Sequence, residues 1–259
     1  MAIDKSIDSA QLDADLASVA DAIRTKGGTS AQLAFPSGFV SAVEAIETGA
    51  GGYAPGDFAN VGNPVGAVSI QETITSGNAA GYEYGLYRRT GITSVDMGDS
   101  TYIPDHFFAR SSISSLKATK VSSVAGYAFL STSNLANIVL PALSTLSATH
   151  EFEGCGATAL DMYGGNIPKY CFLDCTNLSI LIIRNPSLVS LNGDSGLSSS
   201  YFGKNKSGGT LYVHSSLVNQ YIQATNWSTF LGYENNRILP IEGSIYEAQY
   251  ADGTLIPTA

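Results

Sequence analysis

Short parallel strands and tight return turns, coiled into a repeat solenoid, are the architecture expected of these 259 residues. Three features point there: apolar columns that keep step over five successive units, a column of aromatic residues in the same step, and a scarcity of charge. Hydrophobic residues make up 44% of the chain and charged ones 14%. That is well under the roughly 25% charge of an ordinary soluble protein, and Gly, Ser, Thr and Asn take its place. With 13 basic against 22 acidic side chains the net charge is -9. No basic surface stands ready for phosphates, so neither nucleic acid nor an anionic membrane is an expected partner.

The chain opens with helical spacing: Leu12, Leu16, Val19 and Ile23 recur at steps of four, three and four, after the candidate caps Asp8 and Ser9. Gly27-Gly28 ends the pattern. A second short helix is predicted from Ser37 to about Glu47, with Phe39, Val43 and Ile46 on one stripe and Gly49 behind it. Two helices of this length bury too little to stand alone. Residues 1–48 therefore read as an attachment and oligomerisation module. Residues 49–68, rich in glycine and broken by Pro55 and Pro64, read as a linker. Gly49-Ala-Gly51-Gly52-Tyr53-Ala54 imitates a dinucleotide-binding loop, but such a loop follows a strand and precedes a helix, and here the order is reversed. No cofactor is expected.

The repeat occupies the middle of the chain. Apolar pairs spaced by three recur as Ile92/Val95, Ile113/Leu116, Leu135/Ile138, Ala157/Leu160 and Leu178/Leu181, at steps of 21, 22, 22 and 21 residues. Further columns run Met97, Ala118, Leu140, Met162, Ile183 and Ile103, Val124, Leu146, Ile167, Leu188. A fifth is aromatic: Tyr87, Phe108, Phe129, Phe152, Phe172. In a segment such as Leu135-x-x-Ile138-x-Leu140 the last two residues share one face of a strand, and the return segment Val124 to Phe129 has the length of one helical or 3₁₀ turn. One unit cannot bury its own apolar face, so neighbours must stack. A partial unit from about Ile74 to Tyr87 precedes the first full one. The solenoid is expected over 69–205. Residues 206–243 then read as an α/β cap, with a strand Thr210–Val213 and an amphipathic helix carrying Leu217, Val218, Tyr221 and Ile222 capped by Ser215 or Ser216. Residues 244–259 are left as a tail.

Ile103-Pro-Asp-His-Phe-Phe108, Val124-Ala-Gly-Tyr-Ala-Phe129 and Ile167-Pro-Lys-Tyr-Cys-Phe172 resemble the BspA-like leucine-rich repeats of bacterial surface proteins and phage proteins, over about half of the chain. The unit holding Phe152 departs by one extra residue, and Ala157 stands where such repeats carry Leu. Leu16 to Gly28, followed by Phe35-Pro-Ser-Gly-Phe-Val40, resembles the N-terminal module of phage minor structural and tail-fibre-like proteins. The resemblance implies a virion structural protein of tail fibre, baseplate or capsid. Its N-terminal module would join other virion proteins as a homo-oligomer, commonly a trimer, and its repeats would meet a glycan or protein of the host cell surface. Bacterial surface adhesins share the repeats and form the alternative; a non-adhesive decoration or assembly protein is a third. The opening Met1-Ala-Ile-Asp-Lys5 has no basic segment leading into an apolar run, so synthesis in the host cytoplasm is expected, and the resemblance implies residence in the virion.

Candidate chemistry is sparse. Cys155 and Cys175 share a column with Ser111 and Thr132, and Cys171 stands where neighbouring units have Phe107 and Ala128; all three read as reduced packing residues. His106, Tyr127, His150 and Tyr170 form one ring-bearing column. At about 4.7–4.9 Å per coil the two histidines lie too far apart to share a metal with donor bonds of about 2 Å. The column either stacks on itself or binds a neutral polyhydroxylated surface, and it is the candidate binding site. Asp96 and Asp161 sit three coils apart, without a nucleophile or base converging on them, so no enzyme is expected. The outward strand positions turn apolar towards Ile180 and Ile182, which calls for a covering element or a subunit interface. Because Leu12, Leu16, Val19 and Ile23 need a partner surface, deleting residues 1–48 should leave a folded monomer; sedimentation of the truncated chain checks this, and persistent oligomers would move the assembly surface into the repeats.

Overall fold

A computed structural model describes residues 16–17, 19–21, 66–70, 72–193, 195, 209–230 and 237–247. The chain divides into two compact units, Met1–Gly51 and Gly52–Ala259. In the first unit the described residues are helical; Ala20 is buried, Leu16 half-buried and Val19 exposed. Leu12, Ile23, the second helix and the linker up to residue 65 lie outside the described residues.

The second unit carries β1 (Gly66–Ser69), β2 (Ile92–Asp96), β3 (Tyr102–Ile103), β4 (Ser115–Lys117), β5 (Ser123–Val124), β6 (Asn137–Leu140), β7 (Thr145–Leu146), β8 (Ala159–Met162), β9 (Ile180–Ile183), β10 (Thr210–Val213) and β11 (Ile238–Pro240). All pair in parallel, in sheets ordered β1-β2-β4, β11-β10-β9-β8-β6 and β3-β5-β7. The sequence columns are the strand registers. Val95 lies opposite Leu116, Ile138 opposite Leu160, and Leu160 opposite Leu181. Like residues therefore sit on like residues, and the core is one continuous cluster from Val68 to Ile238. Short strands with connections of about twenty residues satisfy the rule that parallel neighbours need a crossover.

Four boundaries differ from the sequence reading. The expected linker ends early, because Gly66–Ser69 is a strand paired with β2, and Val68 reaches the core. Glycine-rich composition concealed a strand whose register comes from its neighbour. Second, the aromatic column begins at Leu86 and not at Tyr87: Leu86 N donates to Phe107 O at 2.8 Å, as Phe108 N donates to Ala128 O at 2.9 Å, and Leu86 is buried where Tyr87 is half-buried. Third, the column Ile103, Val124, Leu146, Ile167 ends in Leu191, which bridges Ile167; Leu188 is 41% exposed. Counting by a constant step missed both, since the first and last units have their own turn lengths. Fourth, residues 244–247 join the covering element, because Tyr246 is buried.

In the full units the return segments are neither helical nor 3₁₀; the partial first unit carries one 3₁₀ turn, Ala79–Gly81. Val124 belongs to β5 in a second sheet, and a double turn follows in which two residues, four apart, take left-handed backbone angles. His106 and Arg110 have φ of 54° and 56°, Tyr127 and Ser131 54° and 52°, His150 and Gly154 64° and 61°. Between them the phenylalanine drops inward. Phe108, Phe129, Phe152 and Phe172 are fully buried, with ring centroids 5.3, 5.0 and 5.6 Å apart and planes within 27° of parallel. Where turns of adjacent units touch, side chains are excluded. A Cβ on Gly156 would lie 2.0 Å from Ser133 O, and one on Gly165 2.1 Å from Ser144 O.

The cap extends the main sheet by β10, folds back as α1 (Val218–Gln223) and α2 (Trp227–Phe230), and then adds β11 as the edge strand. Leu217, Tyr221 and Trp227 close the end of the core. Trp227 Nε1 donates to Val189 O at 2.7 Å, and Val189 N donates to the Tyr221 hydroxyl at 3.0 Å. The expected serine cap is absent: neither Ser215 nor Ser216 caps a helix, and Ser215 N donates to the Glu242 carboxylate at 2.8 Å. A carboxylate brought in from β11's flank thus satisfies one of the unpaired N–H donors at the start of the helical segment, in place of a side-chain cap within it.

Phe129→Ala should cost about 3–5 kcal/mol in urea denaturation, because the rings above and below are held by their own repeats and the void cannot close. A loss under about 1 kcal/mol would show that the stack relaxes.

Candidate functional site

The ring-bearing column is a ridge. Each of its residues holds the first left-handed position of its turn, where the backbone aims the side chain outward and leaves the next residue but one to point into the core. A left-handed angle costs a non-glycine residue roughly 1–2 kcal/mol. Ring contacts offset that cost. His106 lies 4.8 Å from Tyr127, Tyr127 4.7 Å from His150, and His150 4.9 Å from Tyr170, centroid to centroid. The structure thus brings all four predicted residues together and adds a fifth, Tyr84, stacked 4.6 Å from His106. Constant spacing from His106 would have found Tyr84 22 residues upstream; the misplacement of Tyr87 hid it.

Stacking consumes the inner ring faces, so the ridge offers edges. His106 and His150 keep side-chain exposures of 20% and 18%, while Tyr84, the first ring of the column, is 54% exposed. Polar neighbours flank the rings: Asp105 pairs with His106 Nδ1, Thr149 Oγ1 lies 2.8 Å from His150 Nδ1, and Lys169 Nζ sits 4.5 Å over Tyr170. The ridge can therefore present hydroxyls, imidazole edges and one cation–π cap in a line.

The remaining candidates are structural. Outward residues Val139, Ala159 and Ile182 are covered by Ile241 and Tyr246, with Ile180 and Tyr212 alongside. The apolar drift of that face is met by the chain's own cap. Asp161, in the same column, is buried and receives Arg184 Nε and Nη2 at 2.7 and 2.6 Å, and Arg184 also donates to Tyr246 O at 2.9 Å. Burial pushes the Asp161 carboxyl up, with Arg184 opposing. Its earlier column mate Asp96 pairs instead with Lys117 at the exposed edge, 3.0 Å away, and nearby Asp99 pairs with Lys120 at 2.5 Å.

The three cysteines are free and buried. Cys175 Sγ donates to Phe152 O of the preceding unit at 2.8 Å, and Thr132 Oγ1 reaches Phe108 O of its preceding unit at 3.3 Å and Phe129 O of its own at 2.8 Å, so the column supplies small donors to phenylalanine carbonyls. Cys155 and Cys175 Sγ are 3.8 Å apart. Burial pushes the Cys175 and Cys171 thiols up, the second also because the Glu151 carboxylate lies beside it, which keeps both protonated and unreactive. Among the described residues no group of three histidine, cysteine or carboxylate side chains could hold a metal ion, and no helix is long and apolar enough to cross a membrane.

Parallel short strands in step, a phenylalanine ladder and a ridge of turn residues describe one kind of repeat. Residues 87–199 match the BspA type leucine-rich repeat region, in six copies. No curated protein matches the chain. The leucine-rich repeats so defined include the four ring positions His106, Tyr127, His150 and Tyr170, and leave Tyr84 three residues ahead of the matched stretch.

Burial raises the Glu151 carboxyl, although Ala148 N donates to its Oε1 at 3.0 Å. The folded state therefore holds a proton that the unfolded chain has released, and stability falls as pH rises from the ordinary carboxylate value through the raised one. Glu151→Gln keeps an acceptor for Ala148 and removes the charge. Its melting temperature should match the parent at low pH and exceed it at neutral pH; equal values across the range would show that Glu151 carries no buried charge.

Proposed function

We propose that this chain is a non-enzymatic recognition protein whose leucine-rich-repeat solenoid contacts a cell surface through the ridge Tyr84, His106, Tyr127, His150 and Tyr170. The observation that carries the proposal is the ridge itself: ring edges and hydroxyls in a row about one coil apart, on a rigid stack with few charges. Such a row suits repeated, neutral, polyhydroxylated partners, which bind through hydrogen bonds and apolar patches. Catalysis has no comparable support. The titratable side chains buried in the repeats are tied up in packing, as Asp161 with Arg184 and Glu151 with Ala148 illustrate.

The carrier of the solenoid, on this proposal, is a virion. The support is the resemblance of Leu16–Gly28 and Phe35–Val40 to the N-terminal modules of phage tail-fibre-like proteins. That module would dock to other virion proteins, as an oligomer, and the repeats would face the host. A second reading, a cell-surface adhesin, is favoured by the BspA type match over residues 87–199. Immunodetection in purified particles against cell-wall fractions separates the two.

The ridge is tested at its ends, where each ring stacks on one neighbour of the column. Tyr84→Ser combined with Tyr170→Ser should abolish attachment of the fluorescent chain to cells while the melting temperature changes by only a few degrees. Lost stability with retained attachment would make the ridge structural. Since attachment would not rest on phosphate contacts, it should weaken only modestly between low and physiological salt, and a steep loss would contradict a neutral partner.

A further inference from the structure

A cleft of about 490 Å³ opens beside the C-terminal end of the second sheet, lined by Leu146, Asn166, Ile167, Pro168, Ser190, Leu191, Asn192, Gly193 and Asn226. That volume is within the range of small-molecule sites. Its chemistry is unusual for this chain in one respect: among the described residues that line it there is no charged side chain, and three carry carboxamides. Pro168 stands two residues ahead of Tyr170, so the cleft lies alongside the last ring of the ridge in the chain.

Hydrogen bonding orients two of those amides. Asn226 Nδ2 donates to Leu191 O at 2.7 Å, which leaves its Oδ1 unspent among the described residues. Asn166 Oδ1 accepts from Ser190 N at 3.4 Å, which leaves its Nδ2 unspent. The cleft is thus lined by one unspent donor and one unspent acceptor, each on a side chain whose oxygen and nitrogen are told apart by the bond it already makes. Asn226 holds this orientation from a left-handed backbone angle of 71°, a conformation asparagine adopts more readily than most residues. Ile167, Pro168 and Leu191 supply apolar surface beside them. A donor, an acceptor and an apolar wall complement a secondary amide that carries a methyl group: its carbonyl takes the donor, its N–H the acceptor, its methyl the wall.

We propose that this cleft is a binding site for a neutral N-acetylated hexosamine, with Asn166 and Asn226 reading the acetamido group and Ser190 beside them to meet a ring hydroxyl. The site names the sugar class for the cell-surface recognition argued above, and it rests on that reading. Charged sugars are disfavoured, because a carboxylate or ammonium entering a cleft with no counter-charge among its described lining residues loses water and gains no partner there.

Calorimetric titration of the full chain with the β-1,4-linked trisaccharide of N-acetylglucosamine, against a glucose trisaccharide, tests the assignment. The acetamido sugar should bind at least about tenfold more tightly, the size of one or two net hydrogen bonds. Gly193→Leu fills the cleft: Gly193 does not adopt a left-handed angle, and a Cβ there meets Asn226 Oδ1 at an ordinary 3.5 Å. It should lose trisaccharide binding with an unchanged melting temperature. If that variant fails to fold, Asn166→Ala, on an exposed side chain, should weaken binding by about tenfold. Equal affinity for the two sugars, no binding of either, or undiminished binding by the folded variants would overturn the cleft assignment. Cell attachment by the ridge variants reads the surface-recognition proposal separately, so failure of one is distinguishable from failure of the other.

Discussion

Parallel stacking in step is the constraint from which the rest of this protein follows. Adjacent strands of a parallel ladder stand about 4.7–4.9 Å apart, so whatever residue occupies a position in one repeat faces its counterpart in the next at van der Waals distance. An apolar column becomes a core, a phenylalanine column becomes a ladder of stacked rings, and a glycine is demanded wherever two backbones touch, as at Gly156 and Gly165. The same constraint explains the composition. A charged column would place like charges within 5 Å of each other, whereas Ser and Thr can each donate to the carbonyl of the unit before: Ser114 Oγ to Thr93 O, Thr158 Oγ1 to Ala136 O, Ser179 Oγ to Thr158 O. Where charges do enter a column they alternate in sign, as Asp96 with Lys117 and Asp99 with Lys120.

The double left-handed turn converts that regularity into a surface. Its first residue must point away from the core so that the phenylalanine two positions on can point into it. The outward side chain then meets its counterparts above and below, and rings at that position recover in stacking what the strained backbone costs. Core and ridge are two sides of one turn, so the ridge is rigid for the same reason that the phenylalanine ladder is.

The ends of the stack obey different rules from its middle. The C-terminal end is closed by β10, β11, Tyr221 and Trp227, and the sheet's outer face by Ile241 and Tyr246, with the buried Asp161–Arg184 pair pinning the covering segment through Tyr246 O. Removing Arg184 alone would strand a buried carboxylate, so this pair specifies where the covering segment sits more than it adds to stability. The beginning of the stack, by contrast, leaves Tyr84 as a half-exposed ring with no column mate before it among the described residues.

Sequence alone determined the repeat, its step, three columns that became strand registers, the phenylalanine ladder and four of the five rings of the ridge, because strict stacking writes one three-dimensional contact as one sequence interval. It also determined that the outward face near Ile182 needed a cover. Tertiary structure decided what the interval does not encode. β1 hides in glycine-rich sequence because its partner β2 supplies the register. Tyr84 and Leu86, and Leu191 in place of Leu188, follow the turn lengths of the first and last units, which only the hydrogen bonds between units reveal. The left-handed turns replace the expected helical ones because side-chain spacing over six residues is the same for both, and only the backbone angles distinguish them. The cleft of Asn166 and Asn226 joins residues 60 positions apart from a repeat and from the cap, and no periodicity relates the two.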